Sequence, residues 1–183
     1  IRSNISSGKF DKAKLYSKNL VKIGSHTPIS SLMILADEIK NENFKKAKSL
    51  LEKPDQFNFF LKAILTGWVE IGSGNIEKGL DYFENSENAK RLGYISQNHL
   101  GLALALVGNF EKADFILSNT SNGASIDRRD MAIAHAQIMA QLGKNKEAVK
   151  MLDKFLVGNE NNKMSKLRRA IDAGAPVSFD YLS

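Results

Sequence analysis

The chain has 183 residues, 43% hydrophobic and 25% charged, a balance that leaves ample apolar surface to bury and excludes a disordered chain. With no cysteine, disulfides, thiolate metal sites and cysteine nucleophiles are excluded, while reducing and oxidising compartments both stay open. The net charge of +6 is spread along the chain, which reads as solvated helix faces, and no apolar run approaches the roughly 20 residues of a membrane span.

In chain order, the first element is a helix opened by Gly8-Lys-Phe-Asp-Lys-Ala13, within residues 1–25. A helix pair is predicted over 27–53: Thr27 caps, Pro28 suits the first helical position, and Ile29, Leu32, Met33, Ala36 and Ile39 follow at helical steps before Glu42-Asn-Phe-Lys-Lys-Ala47 opens the second helix. The next pair, over 56–87, places a helix from Phe57 to Gly72 ahead of Gly74-Asn-Ile-Glu-Lys-Gly79. Over 89–121 a helix from Ala89 to Val107 precedes Gly108-Asn-Phe-Glu-Lys-Ala113, and over 127–157 a helix from Asp127 to Leu142 precedes Gly143-Lys-Asn-Lys-Glu-Ala148. Residues 162–183 give one more helix, to Ala173, then Gly174, Pro176 and an apolar tail.

One phrase has thus occurred five times, with its closing small residues at Ala13, Ala47, Gly79, Ala113 and Ala148, at intervals of 34, 32, 34 and 35. Glycine at its start tolerates the left-handed conformation that ends the preceding helix. Asn75 and Asn109 are placed to cap the next helix, and Glu77 and Glu111 to complement its dipole. Gly67 and Gly101 each stand twelve residues before the small residue of the following helix, where two helices cross closely.

This period and these paired small residues resemble the tetratricopeptide repeat family, over roughly residues 10 to 157. The repeats are degenerate: Leu35 stands at the first-helix glycine site of the second repeat, and the closing prolines are mostly missing. A related helical-hairpin solenoid fits the same period. The resemblance implies an all-α fold, a right-handed α-solenoid of antiparallel helix hairpins, with first helices lining a concave face. Carried over position by position, the ligand-facing residues include Ile64, Trp68, Ile71, Ile95, Asn98, Leu102, Ile133 and Gln137. Family members that grip a carboxylate tail do so with lysine and asparagine at the two middle positions; here those are Leu32 with Ala36, Ile64 with Trp68, Asn98 with Leu102 and Ile133 with Gln137, so that clamp is missing. The register also implies an incomplete first hairpin and uncapped ends, as in a segment of a longer protein or one whose ends a partner covers.

No constellation points to catalysis. His26, His99 and His135 lack metal-ligand spacing, Gly72-Ser-Gly74 is an interhelical turn rather than a phosphate loop, and no serine sits in a nucleophile elbow. Arg128-Arg129 and the Lys163, Lys166, Arg168, Arg169 cluster read as solvated charge without interleaved aromatics for base stacking. The expected function is therefore a scaffold that holds a peptide or helix of another protein in an apolar groove, with no enzyme activity, cofactor, metal, nucleic acid or membrane span. Two alternatives stay open: an assembly arm that self-associates through its ends, and a regulatory repeat domain attached to a catalytic region outside this segment. A bacterial origin, and with it a cytoplasmic or periplasmic site, fits the abundant lysine, asparagine and isoleucine.

Overall fold

A computed structural model describes residues 7–25, 27–53, 56–120, 129–156 and 162–179. Among these residues the chain is all-helical, with eleven helices and no strand, and it divides into two compact units, Ile1–Leu92 and Gly93–Ser183.

The first unit holds α1 (Phe10–Lys22), α2 (Pro28–Lys40), α3 (Phe44–Glu52), α4 (Phe59–Gly72), α5 (Ile76–Glu84) and α6 (Glu87–Leu92). The start of α2 is set as its sequence predicts: Thr27 Oγ1 accepts the Ser30 backbone N–H at 3.1 Å and the Thr27 N–H donates to Ser30 Oγ at 2.9 Å, with Pro28 opening the helix. Such a reciprocal cap is worth about 1 kcal/mol. Asn58 caps α4 through its Oδ1, which accepts from the Leu61 N–H. The apolar stripes of α2, α3 and α4 then close over one another, burying Leu35, Ala47, Leu51, Phe57 and Val69 together; each large side chain so removed from water contributes roughly 1.5–3 kcal/mol. On α1, Ala13 and Ser17 are buried, whereas Phe10, Leu15 and Tyr16, and Ile23 just after the helix, are exposed.

The second unit holds α7 (Tyr94–Leu106), α8 (Phe110–Thr120), α9 (Arg129–Gln141), α10 (Asn145–Leu156) and α11 (Asn162–Asp172), followed by a non-helical segment through Phe179. Its core gathers Ile133, Ala136, Ala148, Leu152, Met164 and Ile171 from α9, α10 and α11, and Val177 packs against this cluster.

At all five turn phrases the opening residue takes the left-handed conformation. Gly8, Gly74, Gly108 and Gly143 all have positive φ, and at the fifth turn Glu42 takes φ 58° in place of glycine. The small residues that close the phrases are all buried. A Cβ on Gly79 would lie 2.8 Å from the Gly67 carbonyl oxygen, and one on Gly67 would lie 2.5 Å from the Phe83 ring, so α4 and α5 meet at a distance only glycine permits. In the second unit a Cβ on Gly101 would lie 2.6 Å from Leu117 of α8.

Two expectations are corrected. The helix predicted from Ala89 to Val107 is two helices, because Gly93 between them adopts φ 56° and ψ −124°, a conformation that no continuous α-helix contains. Asn75 does not cap α5; its side-chain N–H donates to Glu70 Oε2 at 2.8 Å, and this charge-assisted bond orients the side chain toward the carboxylate rather than toward the first turn of α5.

Candidate peptide-binding faces and their polar supports

In the first unit, Ile64, Trp68 and Ile71 lie along α4. Ile64 and Trp68 are half-buried, and Ile71 is only 7% exposed. The Trp68 ring stands 5.6 Å from that of Phe83 at an interplanar angle of 57°, so it is braced by the ring that fills the space beside Gly67. In the second unit Ile95 is 37% exposed, Asn98 and Gln137 are half-buried, and Leu102 and Ile133 are inside the core at 1% and 9%. Ile71, Leu102 and Ile133 therefore have little surface left for a ligand, while Ile64, Trp68, Ile95, Asn98 and Gln137 keep some.

Gln137 and Gln141 stand one turn apart on α9, so their side chains project from the same face. The Gln137 side-chain amide donates to the Ser178 carbonyl at 3.0 Å, and that of Gln141 donates to the Val177 carbonyl. Phe179 meets Phe110 of α8 edge-on, ring centres 6.4 Å apart. Pro176 lacks an N–H and disfavours helix here, leaving the carbonyls of this segment free to be read by side chains. Beside it a cleft of ≈ 280 Å³ opens between Gln141, Gly143 and Asn145 on one side and Gly174–Val177 on the other.

Charged groups tie four of the five turn-phrase helices, α1, α3, α8 and α10, to the next helix in the chain. Asp37 of α2 receives Lys14 at 3.0 Å and Lys18 at 2.9 Å from α1; the Lys18 hydrogen bond is the main cause that lowers its pKa. Glu70 of α4, 5% exposed, receives Lys48 of α3 at 2.7 Å and Lys78 of α5 at 2.9 Å besides Asn75. Burial pushes its carboxyl up, but the hydrogen bonds from Lys48, Lys78 and Asn75 together outweigh that and hold the pKa at about 2.

In the second unit the polarity is reversed. Asp114 of α8 is the acid on the turn-phrase helix, held by His135 Nε2 of α9 at 2.7 Å and Lys144 at 2.5 Å. Burial is the main influence on His135 and lowers its pKa; Asp114 opposes that, Lys144 adds to it, and the net direction is down. His135 is thus neutral at pH 7 and donates to the Asp114 carboxylate. Arg168 of α11 is likewise committed, to Asp153 of α10 at 2.8 Å and to Asp172 at 3.0 Å, which takes it out of the basic cluster read from the sequence. His26 and Arg128 lie outside the described residues.

Among the described residues, no group of three or more histidines, aspartates and glutamates is placed to hold a metal ion, and no helix is long and apolar enough to cross a membrane. His135 and Asp114 are 5% and 6% exposed, so this pair is buried in the seam between α8 and α9. Comparison with protein-family models, with curated proteins and with solved structures returns no match.

The sequence singled out Gln137 but not Gln141, whose signal was the one-turn spacing from Gln137. Asp37, Glu70 and Asp114 were also missed; each is an acidic residue inside an otherwise apolar helix stripe, a pattern that implies a charged partner.

Proposed function

We propose that the chain is a tetratricopeptide-like helical repeat module that holds a non-helical segment of another protein on the exposed faces of its first-type helices. The observation that carries this reading is the pair Gln137 and Gln141, which hold successive backbone carbonyls at Ser178 and Val177. Side-chain amides aimed at carbonyls bind a peptide through its backbone, whatever its side chains, and the neighbouring apolar surface supplies affinity. On α4, Trp68 supports the same reading as a braced aromatic anchor, the residue type in which binding energy concentrates.

The reading is tested by selecting peptides from a displayed random library on the intact chain and measuring the best binder against variants. Trp68→Ala, or Gln137→Ala in a chain whose own tail is loosened by Phe179→Ala, should weaken that binder about tenfold, the loss of roughly 1.4 kcal/mol, with helicity retained. A selected peptide whose affinity neither substitution changes would place binding elsewhere and overturn the proposal.

A further inference from the structure

The segment Ala175–Phe179 meets α9 and α8 as a ligand would. Its two successive carbonyls accept from Gln137 and Gln141, Val177 packs on the apolar cluster that includes Ile133 and Ala136, and Phe179 closes on Phe110. Three features show contact specificity rather than loose apposition: two side-chain donors in register with two successive carbonyls, an aliphatic side chain on the core, and an aromatic two residues further on against another ring. The segment is joined to α11 through Ala173 and Gly174, and Gly174 has φ 66°, so the chain turns sharply there and returns across α9. Ala175 is tied to the end of α11, its N–H donating to the Ala170 carbonyl at 2.9 Å, but from Pro176 to Phe179 the segment is non-helical and its contacts with α9 and α8 are the two glutamine hydrogen bonds and the packing of Val177 and Phe179, so the same atoms can serve an equivalent segment supplied from outside.

We infer that Ala175–Phe179 is a displaceable internal occupant of the α9 face, and that the partner this face takes is a non-helical peptide of the same chemistry: an aliphatic residue, a small polar residue and an aromatic residue in succession. This rests on the peptide-holding reading above and adds its regulation. Tethered a few residues from α11, the internal segment acts at an effective concentration on the order of millimolar, so a free peptide of equal intrinsic affinity at micromolar concentration cannot displace it. The face opens only to a stronger or multivalent segment, or when the tail is held elsewhere.

The probe is an N-terminally fluorescein-labelled, C-terminally amidated peptide with the sequence of residues 174–179, read by anisotropy against the full chain and against the full chain carrying Val177→Ser and Phe179→Ala. The variant should bind the peptide at least tenfold tighter than the parent chain, and adding Gln137→Ala with Gln141→Ala should remove that gain. Equal affinity for parent and variant, or a gain that survives loss of both glutamines, would overturn the inference. Should the double tail variant lose helicity, Phe179→Ala alone removes one ring contact and is read the same way. If neither chain binds this peptide while the library-selected peptide still binds and responds to Trp68→Ala, internal occupancy is wrong and the module reading stands; a library binder indifferent to both Trp68→Ala and Gln137→Ala sinks the module reading itself.

Discussion

At the turn between α2 and α3, Glu42 holds φ 58° where the four corresponding positions carry glycine. A left-handed conformation costs a residue with a Cβ roughly 1–2 kcal/mol, and Glu42 keeps it because the surrounding turn leaves no alternative: its N–H donates to the Ile39 carbonyl at 2.9 Å and the Asn43 N–H to the Glu38 carbonyl at 2.8 Å. These bonds satisfy the carbonyls at the end of α2. Replacing Glu42 by glycine removes the strain but adds freedom to the unfolded chain, worth about 0.4–1 kcal/mol in the other direction. The strain is the larger quantity, so Glu42→Gly should raise the thermal midpoint of the chain by about 1–3 °C. A midpoint that stays level or falls, followed by circular dichroism, would show that the turn stores no such strain.

Between elements, two kinds of contact alternate. Within the α4–α5 and α7–α8 pairs the helices approach through Gly67, Gly79 and Gly101. Between a turn-phrase helix and the next helix, ion pairs run α1 to α2, α3 to α4 and α10 to α11, and from α8 to α9 a neutral His135 donates to the Asp114 carboxylate. Close packing fixes the distance inside a pair, and in three of these contacts charge fixes how far one helix slides on the next, since a slip of one residue would leave Asp37, Glu70 or Asp114, at most 11% exposed, unpaired. The sharpest test of the close contact is Gly79→Ala. In an ordinary helix interior this change gains about 1 kcal/mol; here the added methyl meets a backbone oxygen that cannot rotate away, so a loss of about 1–3 kcal/mol is expected, seen as a lower urea midpoint. Gain or neutrality would mean that α4 and α5 separate freely.

The same contrast explains what could be read in advance. Turns and small residues were legible because a glycine and the helix start it serves are local in sequence. The ion pairs were not, because Lys48 and Glu70 are 22 residues apart and Asp114 and Lys144 are 30 apart, and each charge alone resembles a solvated one. Gly93 was passed over because apolar periodicity runs on through it, and periodicity does not register a backbone dihedral. Gln137 was legible through register alone, whereas the segment that meets it comes from 41 residues away.

For the whole molecule the buried charges predict that its two units respond to acid in separate pH windows. In Gly93–Ser183, His99 and His135 both have pKa values lowered from 6.5 by burial. The folded unit therefore takes up these protons less readily than the unfolded chain, and its stability is complete above pH 6.5 and falls as pH drops below it. Asp114, held below 3.8 against the upward push of burial, adds a further loss only under stronger acid. In Ile1–Leu92 the shifted acids are Asp37, lowered from 3.8, and Glu70, lowered from 4.5 to about 2. Their contribution is complete above pH 4.5 and is lost as pH falls from there toward 2. Amide hydrogen exchange, corrected for its intrinsic pH dependence, separates the windows: between pH 7 and 5 protection should weaken in residues 93–179 and hold in residues 7–92. His135→Gln should flatten the first response by removing one of its two titrating groups, and Glu70→Gln should flatten the second while lowering stability at pH 7, since it gives up the charge that Lys48 and Lys78 share. Uniform loss of protection in both units between pH 7 and 5 would show that neither buried histidine controls the acid response.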